Sequence, residues 1–216
     1  MFCSTIIPTI GRATLTKAVS SLLDQSFAAH DFEVIVVNDT GIRLRPAGWM
    51  DSPTVRVLET NRRERSVARN AGAAIARGEY LHFLDDDDWM LSDALATFQA
   101  LARLGKSAAV LYGGVRFVDA AANSLGEIGL GRSDNCYTQL VAGSLILPLG
   151  LLVRADAFSA VGGFDPRFAI SEDVGLASTL TAAPSLAQPD FWRALQDDHI
   201  PCTQARILGN RRKPES

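Results

Sequence analysis

The chain is poor in cysteine. Its three, Cys3, Cys136 and Cys202, are scattered and odd in number, and no two stand in a Cys-x-x-Cys spacing. A disulfide scaffold and a zinc site are both excluded, and a reducing compartment, the cytoplasm, is the simplest home. Long hydrophobic runs are missing too. The longest, "LILPLGLLV", falls well short of the ~20 residues a membrane helix needs and contains proline and glycine, so no transmembrane segment is expected. The start, "MFCSTIIPTIGRATL", has no basic residues before its apolar run and reads as a first strand, not a signal peptide. Charge of one sign is scarce. The net charge of -3 gives no sign of nucleic-acid binding, and no nucleic-acid partner is expected. Internal repeats and low-complexity segments are absent. What remains, 216 residues of which 47% are hydrophobic, suffices for a single domain with its own core.

The pattern along the chain alternates strands and helices. "CSTIIPTI" is a β-branched run ended by Pro8 and Gly11, a strand entering a loop. In "RATLTKAVSSLLDQSF", Leu15, Ala18, Val19, Leu22 and Leu23 recur at helical spacing. "FEVIVVND" is apolar without alternation, as in a parallel strand covered on both faces. "TVRVLET" alternates and belongs nearer an edge. "ERSVARNAGAAIARG" predicts a helix with Gly78 as its C-cap, "EYLHFLD" a fourth strand, and "SDALATFQALARLG" a helix capped by Ser92 or Asp93. The result is an α/β layered fold with a mostly parallel sheet. Further on, "LYGGVRFVDA" predicts one strand, a glycine-rich loop runs to about residue 140, and "GSLILPLGLLVRADAFSAVGGFD" suggests a strand and a short helix. "SEDVGLASTL" and "DFWRALQDDH" read as helices, and the basic tail "RRKPES" as disordered.

A parallel sheet gathers the ends of its strands on one rim, where such folds bind ligands. Thr9 and Arg12 follow the first strand, Asn38 and Asp39 end the second, and Asp85, Asp86, Asp87 and Asp88 end the fourth. Asn38-Asp39-Thr40-Gly41 is equally readable as a plain turn. The four aspartates are harder to explain away. Carboxylates at i and i+2 of an extended chain lie about 7 Å apart and repel by about 2.5 kcal/mol at an effective dielectric near 20. A helix start accounts for one or two acidic residues, not four. Hard oxygen ligands directly after a strand suit Mn²⁺ or Mg²⁺.

These stretches resemble the family 2 glycosyltransferases with the GT-A fold. "STIIPTIGRATLTKAVSSLLDQSF" is similar to that family's first strand, loop and helix, and "EVIVVNDTG" to its second strand. "RSVARNAGAAIARGEYLHFLDDDDW" resembles its Ala-Arg-Asn-x-Gly helix leading to the Asp-x-Asp strand end. "LLVRADAFSAVGGFDPRF" and "SEDVGLASTL" resemble its Gly-Gly-Phe-Asp turn and Glu-Asp acceptor motif. Two departures stand out: Asn38 replaces a frequent aspartate, and the helix after Asp173 lacks the usual arginine.

The resemblance implies a GT-A, Rossmann-like domain. A nucleotide-sugar-binding half would span about 1–115, an acceptor-side half about 116–180 and a divergent segment 181–216. It implies a metal-dependent, inverting, hexosyltransferase-like enzyme of polysaccharide biosynthesis. The donor is a nucleoside diphosphate sugar, most often a UDP sugar, and the acceptor a saccharide, a lipid-linked or a small molecule. On this reading Pro8, Thr9, Arg12, Asp39, Arg69, Asp85 and Asp86 line the nucleotide-sugar site, with Asp39 accepting from the base. Asp87 and Asp85 hold the metal, Asp85 also reaching the ribose or a metal-bound water. Asp173 is the general base, with Glu172 beside it as fallback. From residue type alone, Arg69 would be a surface arginine and "SED" an ordinary helix start. His199 is a distant candidate for a further ligand, His82 a packed residue and Trp89 a core one. The likeness is compatible with peripheral association at the inner membrane face and with a homo-oligomer. The rival reading is a catalytically silent nucleotide-sugar-binding or regulatory module. A nucleotidyltransferase would need a glycine-rich basic loop that "PTIGRATL" does not supply.

Overall fold

The computed structural model describes residues 1–61, 64–104, 108–119, 121–128, 150–168, 172–182, 192–194 and 202–207. Its first four strands are β1 (Cys3–Thr9), β2 (Phe32–Asn38), β3 (Val55–Glu59) and β4 (Tyr80–Phe83). All pair in parallel, with β1 between β2 and β4 and β3 at the edge, as its alternation predicts. Helix α1 (Leu15–Leu23) links β1 to β2, and α2 (Arg65–Ala74) links β3 to β4. After β4 come β5 (Asp88–Met90), α3 (Ala94–Leu104), β6 (Val110–Tyr112), β7 (Gly114–Val118) and β8 (Ser124–Ile128). β9 (Leu151–Arg154), α4 (Ala155–Ala160), α5 (Glu172–Ala182), β10 (Trp192–Ala194) and β11 (Cys202–Ile207) complete the order. The main sheet runs β10-β6-β9-β4-β1-β2-β3, and β9 is antiparallel to both neighbours. A second sheet, β5-β11-β7-β8, begins at Asp88.

The uninterrupted apolar run of β2 is explained by two covered faces. Val34 and Val36 join a core with Leu15, Val19 and Leu22 of α1 and Leu95 and Phe98 of α3. Ile35 and Val37 join the opposite core, with Ala68 of α2, Phe158 of α4 and Leu176 and Leu180 of α5. Helix α2 lies very close to the sheet. A Cβ on Gly72 would stand 2.5 Å from Ile6 Cγ2 and 3.0 Å from Val37 Cγ2, so this position has no room for a side chain unless its neighbours shift.

Several expectations need correction. Helix α2 ends at Ala74 with Ile75 as C-cap, so Gly78 is no cap. A Cβ there would meet Ser4 N at 2.4 Å, so glycine is required where the chain crosses β1. "LYGGVRFVDA" is two strands, because Gly113 breaks it and β6 and β7 enter different sheets. Strand β8 stands within the stretch expected to be loop. Within "DFWRALQDDH", Trp192–Ala194 is a strand, since pairing with β6 overrides the helical pattern. Helix α3 begins at Ala94, which leaves Asp93, one of the two expected residues, in the cap position with its carbonyl accepting from Thr97 N at 3.0 Å, and Gln25 Oε1 additionally accepts from Leu95 N at 3.0 Å. The tail, Gly105, Ser171 and His199 lie outside the described residues.

Candidate active site at the carboxyl rim of the sheet

Strands β1, β2 and β4 deliver their carboxyl ends together: Thr9 pairs with Asn38, Asp39 N donates to Thr9 O at 2.9 Å, and Leu84 N donates to Ile6 O at 3.0 Å. The aspartates do not continue β4 as an extended chain. Asp88 N donates to Asp85 O at 3.1 Å, closing a tight turn. That turn divides the four carboxylates. Asp85, Asp87 and Asp88 can bring one oxygen each within 4.8 Å of one another. Asp86 points elsewhere, into the protein, where it is 2% exposed. Its Oδ2 accepts from Thr9 Oγ1 at 2.6 Å and its Oδ1 from Arg12 Nη1 at 2.6 Å. Burial lifts its carboxyl above the ordinary range, against the pull of Thr9 and Arg12. The same Nη1 of Arg12 lies 3.5 Å from Asp87 Oδ2.

Asp39 is buried and anchors α2. Its Oδ1 accepts from Thr60 Oγ1 and its Oδ2 from Glu64 N, both at 2.7 Å. Glu64 in turn caps the helix, accepting from Ser66 N at 2.9 Å and Val67 N at 2.7 Å. One turn on, Arg69 is nearly buried. Nη2 donates to Asp85 Oδ1 at 2.7 Å and Nη1 to Glu172 Oε1 at 2.6 Å, while its guanidinium carbon lies 5.2 Å from the centre of the Phe164 ring. Desolvation works against its charge, but Asp85 and Glu172 hold it firmly protonated. Arg65 Nη1 adds a second cation 3.3 Å from Glu172 Oε1. Glu172 opens α5, and Asp173 beside it is half-buried, its Oδ1 accepting from Val174 N at 2.7 Å.

Most of the expected site residues therefore gather in two hydrogen-bonded groups around the aspartate turn. Asp85, Arg69 and Glu172 are joined directly, Asp86 joins Thr9 and Arg12, and Asp173 follows Glu172 on the same helix. Arg69 is not the surface arginine its residue type suggests, because Gly72 and Ala68 draw its helix onto the sheet. Thr9 is buried with its hydroxyl engaged twice, donating to Asp86 and accepting from Gly11 N at 2.9 Å. Pro8 lies within β1, opposite Val37. Asn38 closes the next turn: its Nδ2 donates to Ile42 O and to Glu59 Oε2, both at 2.7 Å, which an aspartate could not do. His82 is packed, at 0% exposure, 3.3 Å from Thr5 Oγ1. Trp89 is half-buried instead of core, with Lys17 Nζ 3.2 Å from its ring centre. The sequence reading missed Glu64, Thr60 and Arg65. It missed Asn70 too, whose side chain pairs with Phe164 N and O at 3.0 and 2.7 Å and fixes the Gly-Gly-Phe-Asp turn against α2. Asn70 carried a signal, since it directly follows Arg69 on a helix otherwise rich in alanine.

Comparison with known proteins bears on this arrangement. The model of the family described as "Glycosyl transferase family 2" matches residues 4–125, more than half of the chain. The chain is 33% identical over 98 residues to the poly(ribitol-phosphate) beta-N-acetylglucosaminyltransferase TarP of Staphylococcus aureus, covering 43% of this chain and 30% of that protein. It is 35% identical over 109 residues to the GalNAc(5)-diNAcBac-PP-undecaprenol beta-1,3-glucosyltransferase of Campylobacter jejuni, covering 47% and 35%. It thus spans about a third of the length of these relatives. Among solved structures, S. aureus TarS 1-349 in complex with UDP-GlcNAc superposes with a TM-score of 0.72 at 20% identity, over 100% of this chain and 60% of that one. That likeness shows the fold, a GT-A sheet of mostly parallel strands flanked by helices.

Proposed function

The chain belongs to glycosyl transferase family 2, and from that premise we propose that it moves a sugar from a UDP sugar to an acceptor hydroxyl, with inversion and with Mn²⁺ or Mg²⁺ as cofactor. The observation that carries this reading is the junction Asp85–Arg69–Glu172, which ties the aspartate turn to the helix bearing Asp173. UDP as the nucleotide is supported by the UDP-GlcNAc complex of the TarS fold relative.

The aspartate turn fits a hard divalent cation. Three carboxylate oxygens lie within 4.8 Å of one another, and an octahedral shell sets its ligands about 3 to 4 Å apart, a gap that small rotations close. Asp85, Asp87 and Asp88 would hold the ion, Asp85 while also accepting from Arg69. When bound it offsets the charge that develops on the departing diphosphate. Asp39 anchors α2 and would accept a hydrogen bond from the base of the donor. Arg69 orients Asp85 and Glu172. Asp173 takes the proton of the acceptor hydroxyl as the new bond forms, and Glu172, locked by Arg69, sets the direction of the helix start that presents it. The relatives are named for a poly(ribitol-phosphate) and an undecaprenol-linked saccharide. They support a cell-surface glycan or lipid-linked acceptor, and a cytoplasmic protein that visits the membrane face. Among the described residues no helix is long and apolar enough to cross a membrane.

The test is calorimetric binding of UDP with and without Mn²⁺, followed by donor turnover. Binding should require Mn²⁺ and collapse in Asp87→Asn, whereas Asp173→Asn should keep binding and lose transfer. UDP binding unaffected by both metal and Asp87→Asn overturns the metal assignment. A second reading, a nucleotide-sugar-binding module without transfer, draws on α5, whose eleven residues carry no basic side chain. It predicts tight UDP binding with no turnover on any acceptor.

A further inference from the structure

Asp86 is the odd member of the aspartate turn. Its carboxylate is turned away from the other three and committed on both oxygens. Thr9 Oγ1 passes this hold on to Gly11 N, and Gly11 adopts a φ of +78° that glycine alone accepts easily. The β1 exit loop is thereby tied to the turn, and Arg12 leaves it directly over the turn's rim. Both anionic contacts of Arg12, to Asp86 at 2.6 Å and to Asp87 at 3.5 Å, are made by Nη1. The side chain is still 49% exposed. The guanidinium therefore presents a half-solvated, pre-positioned cation next to the carboxylates that fit a metal ion.

We propose that Asp86 is a positioning residue and not a metal or sugar ligand: it holds Arg12 beside the cation site so that the guanidinium meets the diphosphate of the donor. This rests on the nucleotide-sugar reading above. A buried anion is suited to the task. It fixes one nitrogen of a planar fork and leaves the remaining donors free to form parallel bonds to phosphate oxygens. A surface arginine without such a partner would have to lose several rotamers on binding.

The experiment compares the full chain with Arg12→Ala, Arg12→Lys, Asp86→Asn and the Arg12→Ala/Asp86→Asn pair. Calorimetry would follow Mn²⁺ alone, then UDP, pyrophosphate and uridine in saturating Mn²⁺. Loss of a charge-assisted hydrogen bond predicts UDP and pyrophosphate binding about tenfold weaker in Arg12→Ala, with uridine unchanged. Asp86→Asn should weaken the same two ligands while leaving Mn²⁺ affinity within about twofold, and the double variant should be no worse than Arg12→Ala. Arg12→Lys should recover part of the loss, which a merely structural role for Arg12 does not predict. Thermal melts of each variant identify any that is not folded. The proposal is overturned if Asp86→Asn loses Mn²⁺ affinity before any nucleotide is added, if the two losses add, or if Arg12→Ala binds pyrophosphate like wild type. Wild type that binds pyrophosphate with Mn²⁺ but not UDP overturns the donor assignment instead, and the Arg12–Asp86 comparison is then read on pyrophosphate. Wild type that binds neither overturns both.

Discussion

Replacing Arg69 with methionine should destabilise the fold strongly, even with no ligand present. Arg69 is 7% exposed and Glu172 3%. Methionine fills much of the arginine stem but leaves Glu172 Oε1 without its 2.6 Å donor. Removing one partner of a buried ion pair costs about 3–5 kcal/mol. Arg65, at 3.3 Å and 58% exposed, can swing in as partial replacement, and Asp85 can turn toward solvent. The low end, about 3 kcal/mol, is therefore expected. Glu172→Gln should cost only about 1 kcal/mol, because its carbonyl still accepts from Nη1. A double change to methionine removes the stranded charge, so its loss should be smaller than that of Arg69→Met alone. Equilibrium urea unfolding measures all three, with an unchanged slope as the condition for comparing midpoints. Buried Trp49 serves as a reporter. A loss below about 1 kcal/mol for Arg69→Met, or a double change to methionine that loses as much as Arg69→Met alone or more, would refute the account of Arg69 as the clamp between the two halves of the site.

Three other perturbations test the frame around the site. Gly72→Ala should cost roughly 1–3 kcal/mol despite alanine's better helix propensity, since its methyl would overlap Ile6 and Val37; a melting point at or above wild type would contradict the packing. Glu33 is desolvated, yet hydrogen bonds from Arg56, Ser4 and the Arg77 amide outweigh that and hold its carboxyl below the ordinary 4.5. A depressed folded pKa gives stability that is present above 4.5 and lost as pH falls through the folded value, so Glu33→Gln should flatten the acid limb of stability against pH, and an unchanged limb would exclude Glu33 as its source. Cys3 is fully buried and its thiol is pushed up to about 12, so iodoacetamide should modify it only under unfolding conditions; rapid native labelling of the Cys3 peptide by mass spectrometry would show that β1 opens.

Much of the frame can be read from residue pattern because the forces involved are local or periodic. The unbroken apolar run of β2 announces two covered faces, the alternation of β3 an edge, and both are found. Strand ends in a parallel sheet must share a rim, so Asp39 and Asp85 to Asp88 had to lie near one another. The rest depends on partners far away in sequence. The direction of Asp86 is set by Arg12 and Thr9, 74 and 77 residues distant, and nothing in "DDDD" distinguishes the second aspartate from the others. The burial of Arg69 follows from Gly72, whose missing side chain lets α2 sink onto Ile6. Trp192–Ala194 has helical periodicity but pairs with Val110–Tyr112, a contact that no local window contains.

The same network revises the electrostatics of the turn. In an extended segment, four adjacent carboxylates would need solvent screening or a cation to be tolerated. In the folded chain, Arg12 lies against Asp86 and Asp87, and Arg69 against Asp85 and Glu172, with Arg65 beside Glu172. Arginine therefore stabilises the folded turn by offsetting part of its carboxylate charge. Asp87 meets Arg12 at the longer distance of 3.5 Å, so Asp87→Asn, which breaks no short ion pair, should lower affinity for Mn²⁺ far more than it changes stability. Arg69→Met should do the reverse, raising the local negative charge while weakening the fold. Opposite orderings of the two variants in metal titration and in urea unfolding separate the cation's contribution from the arginines'.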